Sequence, residues 1–236
     1  MQEQPKRIIV NDERGLSQFL TRVYGFMTLG VAVSAIVAYL VLTVYRASFF
    51  NFVATHSWIT WLLMIVELGL VMGTSFKASR GGTVSFLLFM AYAVINGLFF
   101  ALIAAVYTGA TITTAFVAAA ATFAGMALYG TFTRRNLSGI GQMAFAALIG
   151  LLVATIVNLF LQNPMVDYVF SFIGVLIFTG LTAWDSQRIK QMYFQHGQQT
   201  STSGLAVMGA LQLYMDFINL FLYFLRIFGV GGSDNN

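Results

Sequence analysis

Long apolar stretches separated by short polar loops run through the whole chain. Each stretch is close to the ~20 residues that a helix needs to cross ~30 Å of hydrocarbon. The pattern predicts seven transmembrane helices, at Arg22–Val44, Trp58–Phe76, Thr83–Tyr107, Thr113–Thr133, Ile140–Leu161, Val166–Trp184 and Gly204–Phe228. We therefore expect a cytoplasmic tail over residues 1–21, a membrane domain over 22–228 and a C-terminal tail over 229–236. A short interfacial helix is expected near Leu16–Leu20.

The composition supports an all-α integral membrane protein. Of the 236 residues, 58% are hydrophobic and 8% are charged, whereas a soluble domain has roughly 25% charged residues. The apolar stretches are long and continuous, which distinguishes them from the short alternating strands of a membrane barrel. The chain has no cysteine, which excludes disulfides and thiolate chemistry. The basic residues are spread over several loops, so nucleic-acid binding is a poor interpretation.

The basic residues indicate the orientation in the membrane. If there are seven spans, ten of the 12 Lys and Arg residues fall on one side, and only Arg46 and Arg226 fall on the other. Basic loops face the cytoplasm in most membrane proteins. The N-terminus is therefore predicted to be cytoplasmic.

The last predicted span carries a polar stripe. Gln212, Asp216 and Asn219 are spaced i, i+4, i+7, which places them on one face of a helix. An ionisable side chain inside a membrane is costly and usually faces a bundle interior or a water-filled cavity. We expect this helix to be the central one, with the other six wrapped around it.

A second acid, Asp185, follows the sixth predicted span. Because consecutive antiparallel helices usually adjoin, Asp185 can approach Asp216, and two carboxyl groups in a dry site cannot both ionise cheaply. Such a pair could sense pH and could also attract a hard cation such as Ca²⁺. Since the sixth span is predicted to end at Trp184, pairing requires that helix to end deep or the seventh to start deep. The alternative for Asp185 is an interfacial ion pair with Arg188.

Other polar side chains lie inside predicted spans. Glu67 would stand roughly 15 Å deeper than Lys77 along the second span, where it is either a conduction or gating carboxylate or a protonated, hydrogen-bonded acid. Asn96 and Asn158, with Gln212 and Asn219, are interpreted as side chains that bridge helices. Both histidines fall in loops, so a zinc site is not supported.

Three segments resemble a known family. ALQLYMDFINLFLYFLRIFG over 210–229, WDSQRIK around Asp185 and TFTRRNLSGIG after the fourth span are similar to motifs of the transmembrane Bax inhibitor motif (Bax inhibitor-1-like) family, in its bacterial branch. The resemblance implies a seven-helix protein of the bacterial inner membrane with the last helix central. It also implies a pH-sensitive Ca²⁺ leak in which Asp185 and Asp216 form the sensor and Glu67 belongs to the ion path. A basic latch on the pair is implied as well, for which Lys77 and Arg80 are the candidates.

These observations favour a passive Ca²⁺ leak channel gated by a buried aspartate pair, with Ca²⁺ and protons as the transported or sensed ions and no cofactor. A Ca²⁺/H⁺ exchanger would use the same residues. A protein that binds and regulates other membrane proteins or their proteolysis is the alternative from another class. An intramembrane aspartyl protease would also need two aspartates, but the second lies after Leu213-Tyr214-Met215 and lacks the expected Gly-x-Gly. We expect no enzymatic activity.

Overall fold

The computed structural model describes residues 13–56, 58–77, 82–196 and 202–231. These residues form eight α-helices: α1 (Glu13–Thr43), α2 (Arg46–Thr55), α3 (Trp58–Lys77), α4 (Gly82–Ala104), α5 (Gly109–Phe132), α6 (Ser138–Leu161), α7 (Pro164–His196) and α8 (Thr202–Gly231). An apolar chain in hydrocarbon satisfies its backbone groups within helices. The predicted all-α class is therefore confirmed.

Six of the helices are long and apolar enough to cross a membrane, namely α1 and α4 to α8. Helices α2 and α3 meet at an angle of 98° and could together form a seventh span. Residues 46–55 fall between the first two predicted spans, and the structure has them as a helix without buried residues. The protein is thus a multi-pass helical membrane protein.

Helix α8 is the most enclosed of the candidate spans. In its most apolar window 67% of the residues are buried, against 17 to 39% in the other five spans. It packs against α1, α3, α4, α5 and α7, while α6 packs against α7. Side chains on α8 therefore meet neighbours on several sides, including the face that carries Asp216.

Two helices extend beyond the predicted spans. Helix α7 continues 12 residues past Trp184, to His196, because Ile189 is buried and packs near Gly209 of α8. Helix α1 begins at Glu13, inside the predicted tail, and takes in the expected interfacial helix. Its first turns are held by Phe19, which is buried and lies 5.2 Å from Tyr193 of α7 between ring centroids. Hydropathy placed both ends wrongly because burial against another helix, not lipid, keeps these turns folded.

Candidate functional site

Helices α7 and α8 bring the two aspartates to similar depths. Asp185 lies 11 residues before the end of α7 and Asp216 lies 14 residues after the start of α8, which corresponds to about 16 Å and about 21 Å of helix. The predicted end of the sixth span at Trp184 had made the two acids differ in depth. Because α7 continues to His196, that difference is small and the two acids can pair. Both side chains are 4% exposed.

The carboxyl groups of Asp185 and Asp216 lie close enough to each other to interact directly. Because a carboxylate oxygen can only accept, a hydrogen bond within the pair needs a proton on one of the two groups, whose O–H then donates to the other. The side-chain amide of Gln212 also lies beside Asp185. One oxygen of each carboxyl group, Oδ1 of Asp185 and Oδ2 of Asp216, is buried without a hydrogen-bond partner. We call Asp185 and Asp216 the carboxyl pair.

The principal contact of Arg188 is not the ion pair with Asp185 that the sequence left as an alternative. Its guanidinium lies over the ring of Trp184, with 5.3 Å between Cζ and the ring centroid. It acts on Asp185 electrostatically, but its side chain is exposed whereas that of Asp185 is buried. The surface ion pair is therefore not the principal environment of Asp185.

Glu67 lies in a separate polar cluster between α3 and α4. Nδ2 of Asn96 donates to Oε1 of Glu67 over 3.0 Å and to the carbonyl of Tyr92 over 3.2 Å, and the Tyr92 side chain lies beside Glu67. Glu67 is half-buried. Within the described residues no three acidic, His or Cys side chains gather into a metal-binding group, so Glu67 is not a third member of the carboxyl pair.

Tyr214 links α8 to α1 and was not singled out from the sequence. Its hydroxyl lies 2.6 Å from Oγ of Ser34, which in turn donates to the carbonyl of Ala93 over 2.7 Å. Its ring meets that of Tyr92 at 5.7 Å between centroids. Since Tyr214 precedes Asp216 by two residues, the two side chains point to roughly opposite sides of α8. The Glu67 cluster and the carboxyl pair therefore border different faces of one helix.

The other predicted bridging residues differ in what they contact. Nδ2 of Asn158 on α6 donates to Oδ1 of Asp167 on α7 over 2.7 Å, so this side chain joins two helices. Nδ2 of Asn219 donates instead to the carbonyl of Met215 in its own helix, over 2.8 Å. In that geometry Asn219 satisfies a backbone group of α8 and does not bridge. Arg80 and the side chain of Lys77 lie outside the described residues, so the latch stays a prediction.

Two of the motifs singled out from the sequence contact each other at one end of the bundle. Oε1 of Gln187, on α7, accepts from the N–H of Leu137 over 2.9 Å, and its Nε2 donates to the carbonyl of Arg135 over 2.8 Å. Nζ of Lys190 donates to the carbonyl of Thr131 over 3.1 Å. The turn between α5 and α6 is thus fastened to α7, one helical turn from the carboxyl pair.

Replacing Gln187 with Leu is expected to lower the free energy of unfolding by about 1–3 kcal/mol, because it leaves the buried Leu137 N–H without its partner. Equilibrium unfolding in detergent micelles measures this. Gln191→Leu is the matched control, since Gln191 is exposed one turn further on. Equal stability of the two variants would show that the Gln187 hydrogen bonds contribute nothing.

Comparisons with known proteins cover nearly the whole chain. The sequence profile of the family described as "Inhibitor of apoptosis-promoting Bax1" matches residues 16–233. The inner membrane protein YbhL of Escherichia coli K12 is 40% identical over 230 residues, covering 94% of this chain and 95% of YbhL. The membrane protein SpyM3_0260 of Streptococcus pyogenes serotype M3 is 40% identical over 222 residues, covering 94% and 96% of the two chains. YrjE of Lactococcus lactis IL1403 is 36% identical over 230 residues, covering 97% and 98%.

Proposed function

Because the chain belongs to the Bax inhibitor-1-like family, and because two buried aspartates share one site, we propose that it is a pH-sensitive passive leak for Ca²⁺. The family inferred from the sequence motifs is thereby confirmed. The activity is our proposal, and its gate is the carboxyl pair.

The observation that carries the proposal is the direct contact between the two buried carboxyl groups, each with an oxygen lacking a hydrogen-bond partner. When the shared proton leaves, two negative charges face each other in a site with little water, and their repulsion favours separation of α7 from α8. The same charges attract a divalent cation. Proton occupancy thus alters both the packing of the helices and the charge that an ion meets.

Ca²⁺ is the cargo in this scheme, not a resident ion. Tight Ca²⁺ sites use 6–8 oxygen ligands, and the described residues contribute the two carboxyl groups and the Gln212 amide at this point. A small ligand set suits a site that an ion occupies briefly. Glu67, which lies on α3 in a cluster that borders another face of α8, would act earlier or later along the path.

We further propose that α2 and α3 form one span, which gives seven spans, six of them around α8. With this topology the ten-to-two distribution of basic residues places the N-terminus in the cytoplasm of a bacterial inner membrane. Labelling of introduced cysteines can test this topology without background, because the chain has no cysteine of its own. Single cysteines in the turn at 133–137 should be labelled from the cytoplasmic side only, and labelling from outside would contradict the topology.

Ca²⁺ flux into proteoliposomes at several pH values tests the function. The wild type is expected to show a flux that depends on pH, and Asp216→Asn is expected to lose that dependence because the pair can no longer share a proton between two carboxyl groups. Equal, pH-independent flux in both proteins would rule out gating by the pair.

Exchange of Ca²⁺ for H⁺ is the second candidate, since a proton shared by the two carboxyl groups is one that Ca²⁺ could displace. An imposed proton gradient would then drive Ca²⁺ against its own gradient, whereas a leak would only dissipate it. If neither flux occurs, a regulatory role through a stoichiometric membrane-protein partner becomes the better explanation. We propose no enzymatic activity for the pair.

A further inference from the structure

A basic pocket lies beside the turn between α5 and α6, and neither Asp185 nor Asp216 lines it. Its volume is about 410 Å³, and its charged lining residues are Arg134, Arg135 and Lys190, with no acidic side chain among the residues that line it. Both arginines are exposed and, within the described residues, make no salt bridge. Lys190 is half-buried and donates to a neutral carbonyl, that of Thr131. Three positive charges in one pocket therefore have no counter-charge among the side chains that the structure describes.

A second cavity lies next to the basic pocket. It has a volume of about 860 Å³ and runs between α1 and α5. Thr131 and Lys190 line both cavities. The apolar side chains that line the second cavity are Leu16, Leu20, Leu128 and Phe132, and the hydroxyl groups of Ser17, Thr21, Tyr24 and Thr28 also border it. We call it the α1–α5 groove.

We propose that the basic pocket and the α1–α5 groove together bind one anionic phospholipid, with the headgroup phosphate in the pocket and an acyl chain in the groove. Arginine and lysine are the side chains that bind phosphate in proteins. Basic pockets between transmembrane helices are suited to acidic lipid headgroups. A free phosphate would use only the pocket, whereas the joined apolar groove fits a molecule that is charged at one end and apolar at the other.

The lipid would contact segments that are distant from one another along the chain. The pocket includes the turn that Gln187 fastens to α7, and the groove is walled by the first turns of α1. An occupant thus joins α1, α5 and α7 at the end of the bundle that carries most of the basic residues. No contact with Asp185 or Asp216 is required.

Binding of phosphatidylglycerol and phosphatidylcholine to the delipidated full-length protein, measured by native mass spectrometry, tests the headgroup site. The wild type is expected to prefer phosphatidylglycerol. The double variant Arg134→Gln/Arg135→Gln is expected to weaken phosphatidylglycerol binding about 30-fold, since each interfacial basic residue contributes a factor of about five. The charge-matched control, Arg46→Gln/Arg226→Gln, is expected to bind like the wild type. Equal affinity of both double variants, or no preference between the lipids, would overturn the proposal.

Gly25 allows the groove to be tested separately. It lines the α1–α5 groove, and a Cβ at this position would have no atom within 4 Å. Gly25→Phe should fill the groove without disturbing the fold and should displace the acyl chain. Gly150 is equally free of neighbours and lies outside the groove, so Gly150→Phe is the matched control.

Phosphatidylglycerol binding is expected to fall in Gly25→Phe and to persist in Gly150→Phe. Millimolar inorganic phosphate should compete only weakly with the lipid. Complete displacement by phosphate, together with unchanged lipid binding in Gly25→Phe, would show that the occupant is a free anion and would overturn the lipid assignment.

Discussion

Asp185→Asn, Asp216→Asn and the double variant are expected to give the same pH-independent Ca²⁺ flux, although each single change removes only one acid. The two carboxyl groups contact each other directly, so a proton bound to the pair belongs to both of them. Removing either carboxyl group abolishes the sharing of the proton. Removing the second carboxyl group therefore has no further effect on the pH dependence of the flux. The effects of the single changes should therefore not add.

The control for this cycle is Asp167→Asn. Asp167 also lies on α7, but it is exposed and accepts a hydrogen bond from Asn158 at the opposite end of the helix. Its replacement should leave the pH dependence of the flux as in the wild type. Additive effects of the two single changes, or a pH dependence that survives in the double variant, would assign the pH response to other groups. Flux should be normalised to protein reconstituted, because Asp216 is buried.

Gly130→Ala is expected to destabilise the protein by about 1–3 kcal/mol, the cost typical of inserting a methyl group into a close-packed contact. A Cβ at Gly130 on α5 would overlap the backbone carbonyl of Ala183 on α7. Neither backbone can yield unless the two helices move apart, and Ala183 precedes Asp185 by two residues. The strain should therefore reach the carboxyl pair as well as the free energy of unfolding.

Gly125→Ala on the same helix is the matched control for this prediction. A Cβ there would have no atom within 4 Å, so alanine should stabilise α5 by roughly 0.5–1 kcal/mol through its helix propensity. Both variants are compared by equilibrium unfolding in detergent micelles. Similar stabilities would mean that the contact between α5 and α7 is looser than the structure shows.

The fold class was predictable because the bilayer restricts what an apolar chain can form. Stretches of about 20 apolar residues have to satisfy their backbone groups within a helix, so α4, α5 and α6 were predicted to within four residues at their starts and three at their ends. Prediction failed at the start of α1 and the end of α7. There charged residues end the apolar pattern, but Phe19 and Ile189 remain buried against other helices.

The candidate site was predictable in its residue types and not in its arrangement. An acid in an apolar stretch is costly wherever it points, which identified Asp216 and Glu67 from the sequence. The sequence named Asp185 as the partner of Asp216, but whether the two could meet depended on how far α7 continues beyond Trp184. The hydrogen bond between Tyr214 and Ser34 joins residues 180 positions apart, and no local pattern contains that information.

The sequence by itself determined that this chain is a multi-pass helical membrane protein with acids inside its bundle, because hydropathy and the cost of a buried charge act residue by residue. The tertiary structure alone decided at what depth Asp185 and Asp216 meet. It also decided that the cluster of Glu67 and Asn96, on α3 and α4, borders another face of α8, and that Gln187 holds the turn at 133–137. These contacts depend on the relative depth and rotation of whole helices. Depth and rotation are set by packing between distant segments, at positions such as Gly130 against Ala183, so they follow only from the assembled bundle.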